Sequence, residues 1–75
     1  MNQQEAILYH LSDRKWHHVV NLMERVAPGA VNCALRSRIS DLNHKLPERG
    51  LYIYSRIAAD GQAEYRLGPD GELSL

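Results

Sequence analysis

The chain has a single cysteine, Cys33, so no internal disulfide can hold the fold together. It has no apolar run as long as the roughly 18 residues that a membrane span needs, and no basic segment leading into an apolar stretch near its start. Neither a membrane helix nor a secretory leader is expected, and a reducing cytoplasm is the expected compartment. No charge of one sign prevails: nine Lys and Arg balance nine Asp and Glu, whereas domains that bind nucleic acid are normally basic. A Gly-rich phosphate loop, a G-x-S-x-G serine and a paired-carboxylate motif are all missing. With 75 residues in total, the chain can spare few for a desolvated pocket. The four histidines lack the spacing of metal ligands. His17 and His18 would point about 100° apart on a helix, His10 and His44 fall on other segments, and Cys33 has no cysteine partner. An enzyme, a metal site, a cofactor and a small-molecule substrate are therefore not expected.

What is present suits one small globular domain. A hydrophobic fraction of 44% is ordinary for a folded chain and argues against disorder. The charges are also unevenly placed. Residues 14–56 carry eight bases against three acids, residues 1–13 carry two acids and no base, and residues 57–75 carry Arg66 against four acids. A basic middle with acidic ends allows a positive face on a neutral molecule.

Local patterning predicts the elements in turn. Asn2-Gln3-Gln4-Glu5 resembles a capping box, and Ala6, Ile7, Leu8 and Leu11 give a one-sided stripe, so the first helix is expected over residues 3–11. Ser12-Asp13-Arg14-Lys15 reads as a turn. Trp16 is expected in a short extended segment that returns its indole to the core. Val19, Val20, Met23 and Val26 predict a second helix from His17 to Val26, stopped at Ala27-Pro28-Gly29. The third helix has the clearest pattern. Val31, Leu35, Ile39, Leu42 and Leu46 fall within an arc of about 80°, and Pro47-Glu48-Arg49-Gly50 ends it.

Two strands should follow, Leu51–Ile57 and Gln62–Leu67, joined through Asp60-Gly61. A two-residue loop would set Ile53 and Ile57 on one face with Glu64 and Arg66. A three-residue loop, Ala59-Asp60-Gly61 with a bulge, sets Ile53, Ser55 and Ile57 with Ala63, Tyr65 and Leu67. The second register gives an apolar face apart from Ser55 and is the one expected. The domain is expected over residues 1–67, with 68–75 as a frayed acidic tail.

This order of helix, short strand, helix, turn, helix and hairpin resembles the winged helix-turn-helix superfamily, an α+β fold. It is most similar to small phage and prophage helix-turn-helix domains, on Arg38-Ile39-Ser40-Asp41-Leu42, Gly50, Ile53 and Glu64-Tyr65-Arg66-Leu67. The resemblance covers about residues 5–67, most of the chain. It implies a sequence-specific binder of double-stranded DNA that regulates transcription or directs recombination. Fold likeness alone does not fix function.

On this reading the outward face of the third helix reads the major groove. Asn32, Cys33, Arg36, Ser37, Ser40, Asn43 and His44 are the candidates, with Arg36 suited to guanine and Asn43 to adenine. Lys15, His17, His18, Lys45, Arg49 and Arg56 are candidate phosphate contacts. Tyr52 and Tyr54, with Arg66, are expected on the outer hairpin face, where they would suit a homodimer or a protein partner. The alternative is therefore a protein-interaction module, an inhibitor or a subunit of a larger complex, that does not bind DNA.

Overall fold

A computed structural model describes residues 3–26 and 32–71. The chain is α+β, with three α-helices and a three-stranded antiparallel sheet among the described residues. The helices are α1 (Gln3–His10), α2 (Val19–Val26) and α3 (Asn32–Lys45), and the strands are β1 (His17–His18), β2 (Leu51–Ile57) and β3 (Ala63–Pro69). Strand order is β1-β3-β2, so β3 is central and both other strands are edges. Among the described residues, no helix is long and apolar enough to cross a membrane.

The apolar spacings act as expected in α1 and α3. Ile7 and Leu11 are fully buried, and Leu35, Ile39, Leu42 and Leu46 form one inward row. Val31, the row's first member, lies outside the described residues, as do Asn2 of the capping box and Pro28-Gly29. In α2 the inward stripe differs from the expected one. Leu22 takes the central place, flanked by Val19, Met23 and Val26, while Val20 is exposed. The helix also starts two residues later than expected, because His17 and His18 pair with Tyr65 and Glu64 as strand β1.

After Lys45 the chain tightens into a 310 turn (Leu46–Arg49), since Pro47 has no N–H for the α-helical ladder. Gly50 ends it at φ 72°, its N–H donating to the Pro47 carbonyl. A residue with a Cβ is disfavoured in that left-handed conformation.

The hairpin takes the expected register. Ile53 faces Leu67, Ser55 faces Tyr65, and Ile57 faces Ala63. Ala58 N–H donates to Gln62 O at 2.7 Å, Gly61 N–H donates to Ala58 O at 2.9 Å, and Gly61 has φ 84°. This is the three-residue loop with a bulge at glycine. Two features depart from expectation. β3 runs through Gly68 and Pro69, paired with Tyr52 and Leu51, two residues past the expected boundary; residues 72–75 of the expected tail lie outside the described residues. Ile57 is 73% exposed, because the hairpin projects beyond the helices that cover Ile53 and Leu67.

Trp16 does not join the helical core. It lies on the opposite sheet face, with the Arg56 guanidinium 4.2 Å from its ring centre and that of Arg66 at 5.7 Å. The indole thus gains cation–π contacts instead of apolar packing.

Candidate functional site

The inward row of α3 fixes what its other sides present. Arg36, Ser37, Ser40 and His44 are exposed, as the periodicity predicts, and the chain's own hairpin leaves them open. The side chains of Asn32 and Cys33 lie outside the described residues. Arg38, at the edge of the row, is used internally: its Nε donates to Gln3 Oε1 at 3.0 Å and ties α3 to α1.

Asn43 is turned inward to the sheet, not outward as expected. Its Nδ2 donates to Ile53 O at 3.0 Å, and its Oδ1 accepts from Ile53 N–H at 2.9 Å. Because β2 is an edge strand, these Ile53 groups face away from β3 and need a partner from outside the sheet. Asn43 supplies both halves of that partnership, so its amide is not available to adenine.

A trough runs between α3 and the sheet. One cleft of about 340 Å³ is bordered by Ser40, Asn43 and His44 of α3 and by Tyr52 of β2. A second, of about 580 Å³, continues toward the hairpin loop past Val19, Ile57 and Gln62. Arg36, Ser55 and Tyr65 border both. Among the described residues, no carboxylate lines either cleft.

Of the expected phosphate contacts, three are taken by carboxylates. His17 Nε2 lies 2.8 Å from Asp13 Oδ1, and His18 Nε2 lies 2.8 Å from Asp60 Oδ2. Arg56 stacks on Trp16 while its Nε donates to Glu64 Oε1 at 2.8 Å. His18 is further committed: its Nδ1 accepts from Val20 N–H at 3.2 Å, which places the ring proton on Nε2, toward Asp60. It therefore caps the start of α2 and fastens the hairpin loop to that cap. Lys15, Lys45 and Arg49 remain exposed, and with Arg36 they form no ion pair among the described residues. The tyrosine pair is also not an open patch. Tyr54 is 8% exposed and its hydroxyl donates to the Pro69 carbonyl, while the Tyr52 ring packs 5.1 Å from it. Tyr52 and Arg66 are half-buried.

The histidine–aspartate pairs carry a pH signature. The Gln62 N–H and then the His18 side chain hold the Asp60 carboxyl below the usual aspartate value of 3.8. Asp13 is lowered first by His17 and then by the Lys15 N–H. A carboxyl depressed by folding adds stability in full above its unfolded value and loses it as pH falls through the folded one. Asp60→Asn should therefore flatten the acid side of the stability curve, measured as urea midpoints from about pH 5 to about pH 2. The effect will be small because both carboxyls are exposed. An unchanged acid slope would show that the His18 pair contributes nothing to stability.

Compared with protein-family models, curated proteins and solved structures, the chain matches none.

Proposed function

We propose that the chain is a winged helix-turn-helix domain that binds duplex DNA, with α3 in the major groove and the hairpin alongside the phosphate backbone. The observation that carries this reading is the open trough, lined by no carboxylate among the described residues, beside an exposed α3 face of Arg36, Ser37, Ser40 and His44. Zero net charge is offset in part by pairing, since Asp13, Asp60 and Glu64 are each engaged by a basic side chain, while Asp41 is an exposed acid on α3 itself. Groove contacts by the loop tip have little support, because Asp60 is fastened back to His18 and the segment 58–62 carries no base. Base reading then falls to α3, and Lys15, Lys45 and Arg49 serve as phosphate contacts at its margins. A single module of this size buries only about 600–1,000 Å² on DNA, which favours binding as a dimer or cooperatively. A small phage-type regulator or recombination-directionality factor would work in this way.

The test is binding of fluorescent duplexes across a salt series. Affinity should fall linearly on a log–log plot, with a slope that reports the phosphates neutralised. Ser37→Glu, at an exposed site in the middle of the face, should weaken binding at least about tenfold by setting a carboxylate against the duplex. Failure of the folded chain to bind any duplex at about 50 mM salt would remove the reading and leave the protein-interaction module in its place.

A further inference from the structure

We propose that Arg36, Ser55 and Tyr65 form a seat for one phosphodiester group, at the point where the two clefts beside α3 meet. The occupant rests on the DNA reading above; the seat itself rests on the geometry of these residues.

Among the described residues, these three alone border both clefts. Ser55 and Tyr65 stand directly opposite each other on β2 and β3, on the sheet face that carries Ile53 and Leu67 toward the core. The Ser55 alcohol stands between Ile53 and Ile57 where the row leaves the core, and it is exposed toward the trough. Tyr65 is 5% exposed, yet its hydroxyl bonds to no described residue. The ring is buried, but the hydroxyl is not among the buried atoms that lack a partner, and it opens onto the trough. Burial pushes the phenol above its ordinary value, so at neutral pH it is an O–H donor. Arg36 lies within electrostatic reach of that phenol and has no carboxylate partner among the described residues.

The donor set is therefore a forked guanidinium, a phenol and an alcohol, with no carboxylate lining the clefts among the described residues. A singly charged tetrahedral group with two free oxygens matches this set, because guanidinium binds such oxygens in pairs and hydroxyls complete the shell. The seat also changes the role of Arg36. Instead of meeting guanine from the outer face of α3, it turns toward the sheet and holds a backbone phosphate, which carries no sequence information.

Tyr65→Phe keeps the ring and deletes only the hydroxyl, while Arg36→Gln removes the charge at an exposed site. Each should weaken binding of a mixed-sequence duplex by roughly five- to tenfold and leave base preference unchanged in selection from a random pool. A duplex series with a single neutral methylphosphonate, moved along one strand, should contain one position that costs the wild-type chain a similar factor and costs either variant little more. Equal penalties at every position in wild type and variants would overturn the seat. So would an Arg36→Gln chain with relaxed preference at one base pair beside a Tyr65→Phe chain that binds normally. Should the wild-type chain bind no duplex, titration with inorganic phosphate followed by amide NMR decides. Shifts at Ser55 and Tyr65 that vanish in Arg36→Gln uphold the seat and discard DNA as its occupant; no shifts overturn it.

Discussion

Leu22→Ala is expected to cost about 2–5 kcal/mol of folding stability, the range for deleting a buried leucine side chain. Leu22 is 1% exposed at the centre of α2 and belongs to the cluster that contains Ile7, Leu11, Leu35 and Ile53. A chain of this length has roughly 4–11 kcal/mol in total, at about 0.05–0.15 kcal/mol per residue. The substitution therefore removes a large share, and the thermal midpoint should drop by about 10 °C or more. The informative control is Val20→Ala, two residues away and 41% exposed, which should cost well under about 1 kcal/mol. The sequence pattern alone would rank Val20 among the core residues of α2. Comparable losses at the two positions would show that α2 is rotated about its axis relative to the packing described above.

Asn43→Ala should cost about 2–3 kcal/mol, from two hydrogen bonds of about 1–1.5 kcal/mol each. The loss reflects more than the bonds, since Ile53 is 2% exposed and its edge-facing N–H and C=O would be left with poor access to water. Asn43→Asp separates the two halves. It retains an acceptor for the Ile53 N–H but replaces the donor with a carboxylate oxygen facing the Ile53 carbonyl, so it should be at least as harmful as alanine. Chemical denaturation of the three chains measures this. If Asn43 instead reads a base, Asn43→Ala would fold normally and alter only the preferred DNA sequence.

Much of the frame was legible because it depends on short-range periodicity. The four-four-three-four spacing ending at Leu46 located α3 and its buried side. Gly61 fixed the loop type, and the loop type fixed which residues of β2 oppose which of β3. What sequence could not show was pairing across long separations. His18 and Asp60 are 42 residues apart and neither position has a distinctive neighbour, so from sequence His18 reads as a phosphate contact. Asn43 had no local mark distinguishing an edge-strand partner from a base reader. Trp16 looked like core because large aromatics usually are, and only the arginines at positions 56 and 66 explain its place on the other sheet face. Tyr54 looked exposed from strand alternation, yet β3 continues to Pro69, whose carbonyl takes its hydroxyl. Ser55, the polar exception on the apolar hairpin face, is the sequence mark of the trough, since it borders both clefts.

The two rims of the sheet also bear on how copies of this protein can meet. One rim is a strand of only two residues, His17–His18, too short to template another chain. The other is interrupted at its middle by the Asn43 amide on Ile53. Growth of a continuous ribbon from molecule to molecule, the usual hazard of open sheets, is hindered at both rims, which favours self-association through helix surfaces or sheet faces.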